Sequence, residues 1–171
     1  MPIVLVRHTS LAVERGICYG MTDLDVAESF AAEAQRVVAQ IPDCDSLISS
    51  PLQRCTKLAH EIAARFGIQP EIDRRFAEMD FGSWEGMAWA GIPRNEMDAW
   101  ARDFLHARPH GGETVAELRT RVLSGVEEYA SRDGTQVIVC HAGVIKAAFA
   151  TGDNASDFNA APDYGEILRL D

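Results

Sequence analysis

The 171-residue chain is short of cysteine, of positive charge, of long apolar runs and of repetition. Its four cysteines are Cys18, Cys44, Cys55 and Cys140, and no two of them form a C-x-x-C pair. That spacing excludes a disulfide framework and a thiolate zinc site as first readings, and points to reduced, unbridged thiols. Cys140 directly precedes His141, but on a strand two consecutive side chains point to opposite faces and cannot share a metal. Sixteen Lys and Arg face 26 Asp and Glu, a net charge of −10. Broad electrostatic attraction to nucleic acid or to an anionic membrane is thereby excluded. A small anion held by a local arginine cluster is not. No apolar run approaches the roughly 20 residues needed to cross a bilayer. No charged leader precedes the apolar residues 2–6, which run straight into Arg7-His8, so a cytoplasmic location is expected. Without repeats, low-complexity tracts or linkers, residues 1–171 read as one domain, long enough for a sizeable core.

Two histidines stand out from this ordinary composition. Ile3-Val4-Leu5-Val6 leads into Arg7-His8-Thr9, and Val137-Ile138-Val139-Cys140 leads into His141-Ala142-Gly143. Both runs have the uninterrupted, β-branched look of buried parallel strands. Sites in open α/β sheets form beyond the carboxyl ends of the strands, so His8, His141 and Arg7 are expected to face one crevice. The rest of the chain alternates accordingly. Helical spacing covers 27–41, and a second strand reads at 46–48. Ser50 and Pro51 look like the N-cap and first residue of a helix that runs to Phe66 and stops at Gly67. A short strand fits 70–73. Thr114 and Glu117 form a capping-box pattern opening a helix to about Ser131. A helix from Gly143, a loop over 151–163 and a last strand over 165–170 complete the pattern. Residues 74–112, with three tryptophans and irregular spacing, read as a lid-like insertion. The expected fold is α/β: a single doubly wound, mostly parallel sheet flanked by helices.

Arg54 falls in the first turn of the helix after Ser50. A helix N-terminus offers free N–H groups, and an arginine there adds a planar fork that fits phosphate oxygens. Breaking a phosphate ester also needs a proton for the leaving alkoxide. Glu78, just before Asp80-Phe81-Gly82-Ser83-Trp84-Glu85-Gly86, is the best candidate for it, with Asp80 and Glu85 read as turn or capping carboxylates. Aromatic neighbours are expected to desolvate Glu78 and raise its pKa. His60 reads as helix surface, His106 and His110 as loop histidines. The three tryptophans read as lid packing or as stacking surfaces for a substrate ring. Arg119 and Arg121 read as surface partners on a capped helix.

Taken in order, Leu5-Val6-Arg7-His8-Thr9, Ser49-Ser50-Pro51-Leu52-Gln53-Arg54-Cys55, Glu78 with the Asp80–Gly86 turn, and His141-Ala142-Gly143 resemble the histidine phosphatase superfamily, which includes the phosphoglycerate mutases. The resemblance implies that His8 is the nucleophile and becomes phosphorylated. It implies that Arg7, Arg54 and His141 hold the phosphoryl oxygens and that Glu78 is the proton donor, with no metal and no cofactor. Substrate contacts are expected at Arg7, Thr9, Tyr19, Gly20, Arg54, His141 and Ala142. Gly16-Ile17-Cys18-Tyr19-Gly20-Met21-Thr22-Asp23, Thr9 itself, Asp98–Asp103 and His110–Thr114 are similar to the α-ribazole phosphatase branch. That similarity makes α-ribazole 5′-phosphate, in cobalamin lower-ligand assembly, the expected substrate. Leu11 and Glu14 depart from the Ser/Thr and Asn common at those places, which weighs against a phosphoglycerate mutase and leaves Ser10 or Thr22 to supply the missing polar contact. The alternatives are a phosphatase or mutase acting on another small phosphate ester, such as a phosphoglycerate or sugar phosphate, and a non-catalytic phospholigand-binding regulator. A zinc hydrolase lacks its ligand spacing. The expected partner is a small phosphorylated molecule, with no nucleic acid and no membrane, and the chain is expected to be a monomer or homodimer.

Overall fold

The two apolar runs lie side by side at the centre of one sheet. In the computed structural model, which describes residues 2–170, β1 (Ile3–Arg7) and β4 (Gln136–Cys140) pair in parallel. The sheet is completed by β2 (Ser46–Ser49), β3 (Glu71–Ile72) and β5 (Ile167–Leu170), in the order β3-β2-β4-β1-β5. All pairings are parallel except β1 with β5. The helices are α1 (Phe30–Gln40), α2 (Gln53–Phe66), α3 (Arg94–Arg102), α4 (Val115–Ala130) and α5 (Ala142–Phe149).

Because side chains alternate along a strand, the central strands feed two cores. Val4, Val6, Val137 and Val139 pack on Val37 of α1 and on Leu58 and Ile62 of α2. Ile3, Leu5 and Ile138 pack on Leu118 and Val122 of α4 and on Val144 and Ile145 of α5. Helices therefore cover both faces, the doubly wound arrangement that the alternation of elements predicts. The capping box at Thr114 and Glu117 forms with both of its hydrogen bonds, and α2 closes at Gly67 with φ of +67°. No helix among the described residues is long and apolar enough to cross a membrane.

Several boundaries differ from expectation. α1 begins at Phe30 rather than at residue 27. α2 begins at Gln53, behind Leu52, so Ser50 is not its cap; the Ser50 hydroxyl is engaged with His141 instead. β5 starts at Ile167 and runs antiparallel, because Gly165 turns the chain at φ +73°. Within 74–112, three single 3-10 turns and α3 are held together by a satellite core of Cys18, Trp84 and Ile92.

Candidate active site

Strand register brings the two histidines together. Arg7 lies opposite Cys140 in the β1–β4 pair, so the next residue of each strand leaves the sheet at the same level. The His8 and His141 rings meet edge to face, centroids 5.3 Å apart. Both are buried, at 1% and 0% exposure. His8 Nδ1 lies 2.8 Å from the Thr9 carbonyl. A carbonyl only accepts, so Nδ1 carries the proton and Nε2 keeps its lone pair. Burial lowers the His8 pKa to about 3; the Thr9 carbonyl opposes this, and the Arg54 and Arg7 charges add to it. The ring is therefore neutral at any ordinary pH, with Nε2 carrying a lone pair. His141 is also held well below the usual range, by burial and by the Arg54 charge. Its Nδ1 accepts from Arg54 Nε at 3.3 Å, which leaves Nε2–H to donate to Ser50 Oγ at 2.7 Å.

Arg54 is fully buried, an unusual state for a guanidinium. Its Nη1 donates to the Thr22 carbonyl and its Nη2 to the Gly20 carbonyl, each at 2.7 Å. The loop after β1 thus fixes the fork beside His141. That loop is in turn pinned by Glu85, which accepts from Gly20 N, Thr22 N, Thr22 Oγ1 and Phe81 N. Asp80 accepts from Gly82 N within its own turn. Glu85 and Asp80 are the anchoring and turn carboxylates that the sequence suggests. Arg7 donates through Nη1 to the Pro162 carbonyl at 2.7 Å, while its Nε is buried with no partner. Thr9 Oγ1 is likewise buried and unpartnered. Both atoms belong to the chain neighbours of His8, and a buried polar atom without a partner is costly.

Glu78 is buried against the first turn of α5, the helix that follows His141. Its Oε1 accepts from Met79 N at 2.8 Å and its Oε2 from Gly143 N at 3.1 Å. Burial raises its pKa, against the pull of those two N–H groups and of Arg54 and Arg121. A carboxyl that holds its proton better than an exposed one thus lies within the field of the Arg54 and Arg121 guanidiniums.

The sequence model of the histidine phosphatase superfamily, branch 1, matches residues 3–160, which hold all of these side chains. The chain belongs to that superfamily. Among its relatives, glucosyl-3-phosphoglycerate phosphatase of Mycolicibacterium vanbaalenii is 30% identical over 166 residues, covering 86% of this chain and 72% of that one. Phosphoserine phosphatase 1 of Hydrogenobacter thermophilus is 29% identical over 147 residues, covering 80% and 68%. The solved structure of a mycobacterial glucosyl-3-phosphoglycerate phosphatase superposes with a TM-score of 0.85 at 22% identity, over 98% of this chain and 88% of the other. TTHB049 from Thermus thermophilus superposes at 0.78 with 28% identity, over 100% and 94%. These matches reach the superfamily, not the α-ribazole branch.

Within this histidine phosphatase the remaining expected residues fall into distinct places. Tyr19 lies under the Arg54 guanidinium, 5.3 Å from ring to carbon, and its hydroxyl is 3.1 Å from that of Tyr164. The Gly20 carbonyl is occupied by Arg54, so Gly20 acts on the arginine. Ala142 opens α5 directly behind His141. Ser10 and Thr22 do not offer the polar contact expected of them, because their hydroxyls bond Glu33 and Glu85. Glu14 points out to solvent.

Three residues were missed. Tyr164 packs on both Arg7, at 4.0 Å, and His8, at 5.7 Å; it comes from a loop with no sequence signal of its own. Arg121, read as a surface residue, pairs with Glu113 at 2.6 Å and donates to the carbonyls of Arg75, Ala77 and Glu78. It clamps the backbone that carries Glu78. His110, read as a loop histidine, is buried against Trp84 at 4.8 Å, with Nε2 unpartnered.

Proposed function

We propose that this histidine phosphatase hydrolyses small phosphate monoesters through a phosphohistidine on His8, with Glu78 as acid and then base. As a member of this family the chain is a phosphoric monoester hydrolase. The observation that carries the residue assignment is the His8 environment: a neutral ring with Nε2 free, against the His141 ring and within the field of the Arg54 and Arg7 charges. In the first step Nε2 bonds to phosphorus in line with the ester oxygen, and the P–O bond breaks. Glu78 gives its proton to the departing alkoxide. Arg7 and Arg54 carry charge from the equatorial oxygens, and His141 joins them by turning its Nε2–H from Ser50 Oγ onto one of them. In the second step a water attacks the phosphohistidine, and Glu78, now a carboxylate, takes the proton as inorganic phosphate leaves. Two moderate barriers replace one high one.

For the alcohol half, the relatives' names offer phosphoserine and glucosyl-3-phosphoglycerate. The loop from Gly16 to Asp23 offers α-ribazole 5′-phosphate. The test is phosphate release from these three and 3-phosphoglycerate, in EDTA, by wild type and His8→Ala. Turnover of any ester, lost in His8→Ala with a ³²P-labelled intermediate absent, supports the mechanism. Undiminished turnover by His8→Ala removes it.

A further inference from the structure

The His141 ring has one lone pair and one proton to offer, and the protein itself takes both. Nδ1 accepts from Arg54 Nε at 3.3 Å, so the ring proton stands on Nε2, 2.7 Å from Ser50 Oγ. Burial and the Arg54 charge keep the ring from taking a second proton. Arg54 differs in this respect. A guanidinium has five N–H groups. Three of them go to His141 and to the Thr22 and Gly20 carbonyls, which leaves two for a phosphoryl group. His141 has nothing left, and meets an oxyanion only by giving up Ser50. Ser50 is itself firmly held. It is fully buried, its N–H donates to the Val139 carbonyl at 3.0 Å, and its carbonyl accepts from Ser49 Oγ at 2.8 Å. Its Oγ also accepts from Leu52 N at 3.3 Å, so the hydroxyl keeps a partner when the His141 N–H turns away. Cys55 Sγ lies 3.4 Å from the same Nε2, but sulfur is a weak acceptor and a poor substitute for the hydroxyl.

We infer that Ser50 is a positioning residue that competes with the phosphoryl group for the His141 N–H, and so holds down affinity for inorganic phosphate, the product, and hastens its release. This rests on the proposed phosphoryl site at His8. A neutral hydrogen bond that must be broken on binding lowers affinity by about 2- to 10-fold. The phosphoryl group of an ester meets the same competitor as the product does. KM and the inhibition constant of phosphate therefore move together when Ser50 is changed.

The test is the affinity of inorganic phosphate, an equilibrium that needs no turnover, titrated by calorimetry into wild type and Ser50→Ala. The variant should bind phosphate about 2- to 10-fold more tightly. In ester hydrolysis it should lower KM and the phosphate inhibition constant by the same factor, with no rise in kcat. A hydroxyl that only steadies His141 for the anion predicts the reverse, weaker phosphate and a higher KM. Equal or weaker phosphate binding by Ser50→Ala therefore overturns the inference and leaves the reaction at His8 standing. ¹⁵N NMR of wild type labelled at histidine gives a readout that depends on no variant. The His141 Nε2–H signal should shift as phosphate is added, because the proton changes partner; a signal that stays in place at saturating phosphate overturns the inference as well. If wild type takes up no phosphate at all, the anion site at His8 is what fails, and the inference goes with it.

Discussion

Acid should unfold this protein through its buried imidazoles before its carboxylates are touched. His8 has a folded pKa of about 3 against an ordinary 6.5. Below pH 6.5 the unfolded chain therefore binds a proton that the folded chain refuses. Stability then falls as pH falls, at about 1.4 kcal/mol per pH unit per histidine, until the folded pKa is reached. Between pH 7 and pH 5 the partial titration at the start reduces this to about 2 kcal/mol from His8 alone. His141 is shifted the same way and adds to the loss. The raised pKa of Glu78 acts with the opposite sign, since a folded state that keeps a proton longer gains as pH drops. The assay is urea unfolding at both pH values for wild type and His8→Asn, which keeps a polar group in place of the ring but cannot titrate in this range. The variant should lose about 2 kcal/mol less than wild type over the interval. Equal losses would mean that His8 is already accessible to protons in the folded state, and the neutral-nucleophile argument would fall with it.

Other perturbations reach the site through its supports. Arg121→Met removes the clamp on the Arg75, Ala77 and Glu78 carbonyls and should lower kcat about 10- to 100-fold with little change in KM; an unchanged kcat would show that Glu78 is held without it. Gly143→Ala drives a methyl into the Glu78 carboxylate, so the acidic limb of the kcat–pH profile should move while the unfolding midpoint stays within a few degrees. Gly20→Ala sets a Cβ against the Met79 carbonyl and the Phe81 ring. It should displace the loop that anchors Arg54, raising KM for every ester tested, with calorimetry expected to show a lower Tm. Thr114→Ala abolishes the capping box of α4 and should cost about 1 kcal/mol in urea unfolding, with activity intact.

What could be read from the chain ahead of its structure followed from local pattern. The apolar runs before His8 and His141 fixed both strand ends, and parallel pairing then forced the two rings together. Glu78 was legible because a carboxylate preceding a glycine-aromatic turn stands out from its surroundings. Ser50 was misread because the same hydroxyl that suits a helix cap also suits an imidazole, and only the third dimension shows which takes it. Arg121 was misread because a charged side chain on a capped amphipathic helix suggests the surface, although it stands three residues after buried Leu118 and four before buried Gly125. Its partners, Glu113 and three carbonyls, arrive from segments 8 to 46 residues away. His110 was buried by an aromatic cluster whose members are spread from Phe81 to Phe158, which no local window contains.

The pair Tyr19 and Tyr164 has a consequence for how the site breathes. Tyr164 stands on a segment stitched to the nucleophile's own backbone: Gly165 N donates to the Arg7 and His8 carbonyls, and Arg7 N donates to the Glu166 carbonyl. That segment leads straight into β5, the edge strand, held on one side only. Edge strands exchange their amide protons early, because they open at small free-energy cost. A lifting of β5 strains the hydrogen bonds that hold Tyr164 against Arg7 and His8, so deuterium uptake at residues 167–170 should rise in any variant that loosens Tyr164 from those two residues.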